Sequence, residues 1–360
     1  MHWFCHAGYV PEQAGRPRSG SRGRLLASGG ILGAAVVLGS PLPASAEVAV
    51  PAPQCQVTDP RLPEISGLVA VDDQFLAMND GGDQVSVFLL NATCQVTDVH
   101  TADLDPYDPE DMALAADGTV WLADTGDNDA KRSTVALIAL RPDGSTSLYR
   151  LTYPDGPHDA EALLLAPDGT PYLVTKEILG ASGVYRPSTA LVDGGTVALA
   201  KVAAVNLTFT GTAGGPVGQE GQLLVTGGAV ARDGSAIALR TYTDAYVWPL
   251  SGSDVPGALA AAPNHIPLPD SPQGEAVSFA ADSHSLVVAS EKLPSDITVI
   301  PLAPETVAAL TPTKGPVPSL TDLTRSGLSP ITNGLIAVAA ATVIVWIGGK
   351  LRRRPPDRRP

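Results

Sequence analysis

Five segments between residues 63 and 292 can be aligned with one another, and this repetition limits the fold more than any other feature of the sequence. Each segment holds a short apolar stretch, a tight turn and a second apolar stretch, and a third apolar stretch follows it. Turns such as Asp117-Gly118, Asp168-Gly169 and Asp233-Gly234 are typical of β-hairpins. No helical periodicity interrupts them, so the sequence predicts an all-β chain.

The spacing of the repeats predicts the architecture. Their starts are separated by 46, 51, 65 and 49 residues, counted from Glu64, Glu110, Glu161, Thr226 and Glu275. Blades of a β-propeller recur at about 40–50 residues. We therefore predict a β-propeller of five or six four-stranded blades. Five are visible, and the longer third interval leaves room for a sixth, degenerate blade that would borrow strands from its neighbours.

A second match predicts how the ring closes. The sequence CQVTD occurs at residues 55–59 and again at 94–98, each time shortly before a repeat start. The second copy falls where the outer strand of the first blade belongs, so by analogy the first copy is the outer strand of the last blade. A disulfide between Cys55 and Cys94 is the economical expectation for an oxidising compartment. The alternative is that equivalent strands of adjacent blades hold them too far apart, since bridged Cα atoms lie within about 7 Å.

The two ends of the chain predict its location. Residues 1–46 have the basic, apolar and small-residue regions of a signal peptide. Residues 331–349 form the later part of an uncharged run that is long enough to cross a bilayer, and the basic tail 350–360 favours a cytoplasmic C-terminus. Residues 301–330 are rich in proline and predict an extended stalk. The propeller, residues 47–300, is then an ectodomain held outside the cell membrane by a single span.

The charge distribution narrows the choice of partners. The chain carries a net charge of −14, and 10 of its 23 basic residues lie in the two short ends, residues 1–46 and 350–360. Between residues 47 and 349 there are 13 basic and 35 acidic residues, a net charge of −22. Such a surface repels nucleic acid and anionic lipid, whereas cations and basic or neutral ligands are admissible. We expect a monomer that binds a small molecule or a component of the cell envelope.

The repeats bring polar residues to one face of the propeller. The first strand of a blade begins at the rim where the antiparallel second strand ends, so these positions share one neighbourhood. Four of the five starts are glutamates, which predicts a ring of carboxylates interrupted by Lys176, Arg240 and Lys292. One interpretation is a cation or ligand site, and the other is that each glutamate caps its own blade. The expected ligand-binding residues are Lys176, Arg240, Tyr242, Glu275 and Glu291.

The acidic side chains are densest in the second repeat. The metal ligands expected there are Glu110, Asp111, Asp124, Asp127 and Asn128. Crowded carboxylates repel one another unless a cation or solvent intervenes, so calcium is the expected cofactor; the alternative is a solvated acidic loop. His158 and Glu161 are the candidate catalytic residues, as general base or proton donor, although a single histidine can equally be structural. The usual motifs of serine hydrolases, nucleotide hydrolases, zincins and thiol redox enzymes are missing from the sequence between the two ends.

Two stretches carry a family resemblance: EDMALAADGTVWLADTGDN from Glu110 and HDAEALLLAPDG from His158. With EISGL from Glu64 and PQGEA from Pro272, they resemble a group of secreted or membrane-anchored bacterial β-propeller proteins, mostly actinobacterial, that have no assigned activity. The resemblance covers about residues 55–300. More distantly, the chain is similar to phytase-like esterase propellers and to SdiA-regulated propellers, whose members include calcium binders. This similarity implies calcium binding and hydrolysis of phosphoesters or esters.

Two functions of different classes follow. The first is a cell-surface module that binds a ligand or partner at its carboxylate-rich face, with a divalent cation. The alternative is a calcium-dependent hydrolase of phosphoesters, esters or lactones. In that enzyme Glu110, Asp124 and Asp127 would hold the metal ion. Lys176 and Arg240 would hold the substrate anion, and His158 or Glu161 would move protons.

Overall fold

Residues 50–310 are described by a computed structural model, in which they form twenty β-strands and three short helices. The strands make five antiparallel groups of four, and the first strands of the five groups contact one another in a closed ring. The all-β propeller that the repeats predict is confirmed. Within the described range it has five blades.

The first three blades follow one another along the chain. Blade 1 contains β2 (Ile65–Val71), β3 (Gln74–Asn79), β4 (Val85–Leu90) and β5 (Val96–Ala102). Blade 2 contains β6 (Pro109–Leu114), β7 (Val120–Asp124), β8 (Val135–Leu140) and β9 (Thr146–Thr152). Blade 3 contains β10 (Ala160–Leu165), β11 (Pro171–Thr175), β12 (Ala181–Pro187) and β13 (Thr196–Asn206). The outer strands β9 and β13 pair in parallel, which joins blades 2 and 3 into one eight-stranded sheet.

The last two blades complete the ring. Blade 4 contains β14 (Val225–Val230), β15 (Ala236–Thr241), β16 (Asp244–Pro249) and β17 (Asn264–Pro267). Blade 5 contains β18 (Gly274–Phe279), β19 (Ser285–Ser290), β20 (Ser295–Pro301) and, from the other end of the described chain, β1 (Ala52–Val57). The short helices are a 3-10 helix (Gly218–Gln222), α1 (Val255–Leu259) and α2 (Pro304–Leu310).

The ring closes as the duplicated pentapeptide predicts. Strand β1 pairs antiparallel with β20, so the N-terminal strand is the outer strand of the last blade. Cys55 and Cys94 form a disulfide with a Cα–Cα distance of 5.6 Å. The distance is short because the two copies are not structurally equivalent. Cys55 lies within β1, whereas Cys94 lies in the turn before β5 and has a positive φ of 61°.

The long interval between the third and fourth repeats contains a loop, not a sixth blade. Strand β13 is eleven residues long, and residues 207–224 then form a loop that includes the 3-10 helix. The loop is fastened to blade 4 by the buried Asp244 carboxylate, which accepts hydrogen bonds from Thr212 Oγ1 at 2.6 Å and Thr210 Oγ1 at 3.0 Å. A buried carboxylate with hydroxyl donors holds an irregular segment in place.

Apolar layers between neighbouring blades hold the ring together. Five clusters of buried side chains fill the five blade interfaces. Between blades 3 and 4, for example, Leu164 packs in the same cluster as Ile237 and Trp248, and each of them is less than 2 % exposed. Each first strand is thus covered on both sides by apolar neighbours. A polar side chain buried on such a strand therefore needs partners at the ring axis.

Residues 301–310 differ from the predicted stalk. Pro301 is the last residue of β20, and α2 then packs on the propeller with Thr306 and Leu310 buried. The apolar side of this short helix binds the blade 4–5 interface, which an extended stalk would leave open. Within residues 50–310 no helix has the length and apolar character needed to cross a membrane. The predicted signal peptide, the rest of the stalk, the span at 331–349 and the tail lie outside the described residues.

Candidate functional site

A β-bulge near the beginning of the first strand recurs in every blade. The pairing with the second strand shifts by at least one residue at this point in β2, β6, β10, β14 and β18. A bulge changes the direction in which the extra residue's side chain points, so it no longer faces the neighbouring blade. The bulged residues are all buried. They are Ser66, Glu110, Glu161, Thr226 and Glu275.

This register corrects the alignment of the first repeat. The residue equivalent to Glu110 is Ser66, while Glu64 lies two residues earlier and is exposed. Three glutamates, not four, therefore occupy the bulge position. The two hydroxyl residues tie neighbouring blades together, because Ser66 Oγ donates to the Glu110 carbonyl oxygen and Thr226 Oγ1 donates to the Gly274 carbonyl oxygen at 2.9 Å.

Three carboxylates from blades 2 and 3 converge. Glu110, Asp159 and Glu161, which we call the carboxylate cluster, each offer an oxygen atom, and these atoms all lie within 4.8 Å of one another. Glu110 is 6 % exposed and Glu161 is 3 % exposed, whereas Asp159 is partly exposed. Asp159 also accepts a hydrogen bond from the Asp127 main-chain N–H at 2.8 Å, which fixes one of its oxygens. This arrangement is the strongest candidate for a metal site among the described residues.

A fourth carboxylate borders the same space. A Cβ atom at Gly126 would lie 2.1 Å from Glu110 Oε1 and 2.5 Å from Asp108 Oδ2. The absence of a side chain at Gly126 thus lets these two carboxylates approach each other. Asp108 lies just before the second repeat, but the predicted set of ligands contains neither Asp108 nor Asp159. Asp108 and Asp159 each lie two residues before a bulged glutamate, and this shared spacing is the sequence signal that would have found both.

Burial raises the pKa values of the carboxylate cluster. The pKa of Glu110 is raised well above its usual range by desolvation and then by the charge of Glu161. Desolvation and the charge of Glu275 do the same to the pKa of Glu161, and desolvation raises the pKa of Asp159. Mutually close, desolvated carboxylates are stable only when a proton or a cation reduces their charge. The cluster therefore has the electrostatic character of a site that exchanges protons for a cation.

Lys176 supplies one positive charge beside the carboxylate cluster. Its ammonium group contacts Glu161 Oε1 and lies 5.1 Å from the centroid of the Tyr242 ring. Burial works against the charged form, but Glu161 and Glu275 outweigh it and raise the pKa of Lys176. One ammonium group cannot balance all the surrounding carboxylates. Two of the predicted ligand-binding residues, Lys176 and Tyr242, thus lie next to the cluster.

The remaining predicted glutamates lie on the blade 5 side of Lys176. Glu275 is 3 % exposed, and within residues 50–310 its Oε2 atom has no hydrogen-bond partner. Burial raises the pKa of Glu275 to about 7, although Lys176 and Arg240 oppose the shift. Burial, with the charges of Glu275 and Asp80, raises the pKa of Glu291 to about 8. Acidic groups with raised pKa values therefore extend from blade 2 to blade 5.

The other predicted metal ligands are used in different ways. Asp111 is fully buried and accepts hydrogen bonds from the main-chain N–H groups of Met112, Leu163 and Gly228 at 2.8–3.0 Å, so it joins blades 2, 3 and 4. Asp124 forms an ion pair with Arg132 at 2.9 Å. These two carboxylates already have donors, and neither belongs to the group of three whose oxygens converge.

The last two predicted ligands, Asp127 and Asn128, lie in the loop after β7. Asp127 accepts hydrogen bonds from the main-chain N–H groups of Lys131 at 2.9 Å and Arg132 at 2.8 Å, and Asn128 is exposed. An aspartate that accepts from successive N–H groups stabilises a loop. The five predicted ligands are therefore divided, and only Glu110 belongs to the carboxylate cluster.

Arg240 does not lie free at the face of the propeller. Its side chain is 1 % exposed, and it donates from Nη1 to the carbonyl oxygens of Ala276 at 2.8 Å and Ala289 at 3.0 Å. The residue thus connects blade 4 to blade 5. Charge in the sequence could not reveal this, because a buried arginine and an exposed one look alike.

His158 forms a group of its own. Its Nε2 atom lies 3.1 Å from Asp155 Oδ1 and 3.1 Å from the Tyr185 hydroxyl, and its Nδ1 atom lies 3.3 Å from Glu177 Oε1. The ring is edge-on to Tyr153, with centroids 5.1 Å apart. The histidine is therefore held between two carboxylates, and its hydrogen bonds do not involve Glu161, the other predicted catalytic residue.

Comparison with known proteins identifies no family for this chain. No family model matches the sequence, and no curated protein matches it. Among solved structures, a gluconolactonase from Xanthomonas campestris is 18% identical with a TM-score of 0.39, over 66% of this chain and 72% of that one. A virginiamycin B lyase from Staphylococcus aureus is 12% identical with a TM-score of 0.33, over 69% of this chain and 73% of that one. Similarities at this level say nothing about substrate or reaction.

Proposed function

We propose that this chain is a membrane-anchored, cell-surface β-propeller that holds a divalent cation, calcium, on its carboxylate cluster and binds a small-molecule or envelope ligand there. The observation that carries the proposal is the convergence of Glu110, Asp159 and Glu161, whose oxygen atoms lie within 4.8 Å of one another. The anchoring rests on the sequence of the two ends. The binding site rests on the geometry of blades 2 and 3.

The donor set suits a hard cation. Calcium takes six to eight oxygen ligands at about 2.3–2.6 Å, and carboxylates can supply one or two each. The cluster offers three carboxylates, and Asp108 borders the same space beside Gly126. Protein oxygens would fill part of the coordination shell, and water or ligand oxygens would complete it. Asp159 is the partly exposed member, so the remaining positions would lie on its side.

Electrostatics supports the same assignment. Without a cation, the raised pKa values of Glu110 and Glu161 mean that burial and repulsion are relieved by protonation. A divalent cation would relieve both costs at once and release those protons. Lys176 then fixes the orientation of Glu161 and leaves a cationic group beside the metal, which suits a ligand with an anionic or carbonyl oxygen.

Calorimetric titration of calcium into the chelator-treated, full-length protein tests the proposal. We expect saturable binding that falls at least tenfold in Glu110→Gln and in Asp159→Asn, since each variant removes one anionic ligand without changing side-chain size. Glu305→Gln, on the exposed side of α2, is the matched control and should bind as the wild type does. No saturable heat in the wild type, or equal losses in all three variants, would contradict the proposal.

The second candidate function is a calcium-dependent hydrolase of phosphoesters, esters or lactones. The observation that favours it is the presence of Lys176 beside the carboxylate cluster, with His158 held by Asp155 and Glu177 in the same blade. The calcium ion and the Lys176 ammonium group would polarise an oxygen atom of the substrate. A turnover screen of these three substrate classes with calcium, manganese and zinc tests it, and activity in none of them rules the hydrolase out.

A further inference from the structure

A separate cavity of about 240 Å³ opens between blades 4 and 5. One side is formed by β19 and β20, another by the linker that enters β18, and Pro53 of β1 borders it together with Pro51. Its lining includes Arg240 and Lys292, together with Ser271, Ser290 and Ser295. The carboxylate cluster is not part of its wall. Thr298 and two acidic residues, Asp270 and Asp296, also line the cavity, so it has two basic residues, two acidic residues and four hydroxyls.

Arg240 carries a buried charge without an ion pair. The hydrogen bonds that it makes use Nε, to the Thr241 carbonyl oxygen at 3.2 Å, and Nη1, to the carbonyl oxygens of Ala276 and Ala289. Among the described residues, no carboxylate oxygen lies within ion-pair distance of its guanidinium. Burial lowers the pKa of Arg240 to about 10, which the charge of Glu275 opposes. A buried guanidinium in this state is stabilised by an anion.

The second terminal nitrogen of Arg240 and a buried hydroxyl border one small space. A Cβ atom at Gly274 would lie 2.0 Å from Arg240 Nη2 and 2.8 Å from Ser271 Oγ. The absence of a side chain at Gly274 therefore makes room for the Arg240 guanidinium next to the Ser271 hydroxyl. Ser271 Oγ is buried and has no hydrogen-bond partner within the described part of the chain. Buried hydroxyls without partners are uncommon, and each one requires an explanation.

Two acidic residues and two of the serines at the cavity make hydrogen bonds within the protein. Asp270 Oδ1 accepts a hydrogen bond from the Gly215 main-chain N–H at 3.2 Å, and Asp296 Oδ1 accepts one from Gln56 Nε2 at 2.8 Å. Ser290 Oγ donates to the Gln273 carbonyl oxygen at 2.7 Å, and Ser295 Oγ donates to the Ser290 carbonyl oxygen at 2.6 Å. Lys292 is exposed at the edge of the cavity. The donors still able to face a guest are therefore Arg240 Nη2, Ser271 Oγ and Lys292 Nζ.

We propose that the cavity between blades 4 and 5 binds an oxyanion, the carboxylate or phosphate group of a small molecule. One oxygen accepts from Arg240 Nη2 and a second accepts from the Ser271 hydroxyl, while Lys292 attracts the anion at the entrance. Charge-assisted hydrogen bonds of this kind are among the strongest in proteins. The site is distinct in place and in charge from the carboxylate cluster. It stands whether or not the cluster binds calcium.

Two probes test the proposal and show whether the cavity binds a phosphate group or a carboxylate group. Sodium phosphate and sodium acetate are titrated separately into the full-length protein by calorimetry, at constant ionic strength maintained with chloride. We expect saturable binding of at least one of them, and the one that binds identifies the group. Saturation by neither probe overturns the proposal.

Substitutions locate the binding. Ser271→Ala should weaken it about tenfold, since it removes one hydrogen bond to a charged group, while Ser285→Ala at the edge of the same blade should leave it unchanged. Lys292→Met changes an exposed side chain and should weaken binding several-fold, unlike Lys131→Met in blade 2. Calcium affinity should be the same in Ser271→Ala as in the wild type. Wild-type oxyanion affinity in both Ser271→Ala and Lys292→Met would overturn the proposal.

Discussion

Ser66 and Glu110 occupy the same bulge position in neighbouring blades, and the Ser66 hydroxyl donates a hydrogen bond to the main-chain carbonyl oxygen of Glu110. One of these equivalent side chains fastens two blades, and the other is a member of the carboxylate cluster. Glu64, the glutamate that the repeat alignment places at this position, is exposed. The bulge decides which residue of each repeat is buried at the axis.

This register gives a first prediction. Glu110→Gln should lower calcium affinity at least tenfold, because it removes a charged oxygen donor from the cluster. Glu64→Gln should change the affinity less than twofold, because the Glu64 side chain is exposed and outside the cluster. Titration of both variants side by side compares two isosteric changes of the same residue type. If both variants lost calcium affinity equally, Glu64 would be as important for binding as Glu110, and the bulge register would not identify the ligands.

Gly126 provides a second prediction. A side chain there would occupy the space between Glu110 Oε1 and Asp108 Oδ2, at 2.1 and 2.5 Å from its Cβ atom. Gly126→Ala should therefore push the two carboxylates apart and lower calcium affinity by tenfold or more. Gly81→Ala is the control, since a Cβ atom at Gly81 has no neighbour within 4 Å. Calcium binding by Gly126→Ala at wild-type affinity would place the cation elsewhere.

Much of the fold could be predicted from the sequence, because blades are local units. Each blade is an antiparallel meander whose turns have their own signals. The Asp117, Asp168 and Asp233 side chains accept from the N–H two residues later at 2.9–3.0 Å, as Asp-Gly turns favour. The duplicated pentapeptide predicted which segment is the closing strand, although its two copies lie at different positions along their outer strands.

The site was harder to predict, because it depends on single-residue shifts and on contacts between blades. A bulge adds one residue without changing the apolar pattern around it, so Glu64 and Ser66 could not be told apart. From the sequence, Asp111 and Asp124 look like metal ligands. In the structure, main-chain N–H groups donate hydrogen bonds to Asp111, and Arg132 forms an ion pair with Asp124. Asp159 joins the cluster only because blade 3 packs against blade 2.

The disulfide leads to a third prediction. Cys55 and Cys94 are 39 residues apart, and the bond fastens the closing strand of blade 5 to blade 1. Replacing both with alanine should lower the free energy of unfolding by about 2–4 kcal/mol, mainly through the entropy of the unfolded chain. Chemical denaturation of wild type and variant measures the difference. The wild type with a reducing agent should resemble the variant, and a variant as stable as the oxidised wild type would contradict the prediction.

The buried acids near blade 5 give a fourth prediction, for the metal-free protein. The pKa of Glu291 is raised to about 8, whereas an unfolded glutamate has a pKa of about 4.3. Between these values the folded state binds the extra proton, so stability falls as the pH rises from about 5 to 8. Glu291→Gln cannot titrate, and it should reduce this fall by about 1–2 kcal/mol. Urea denaturation at several pH values in the presence of a chelator measures it, and an unchanged slope would contradict the pKa shift.

The most direct measurement is calcium binding to the full-length, chelator-treated protein by calorimetry at pH 6, 7 and 8, in two buffers of different ionisation enthalpy. Because burial and repulsion raise the pKa values of Glu110 and Glu161, calcium must displace protons from the carboxylate cluster. We predict that binding releases protons and that affinity increases with pH. Absence of saturable binding, or binding without proton release and with the same affinity at all three pH values, would contradict a cation site at the cluster.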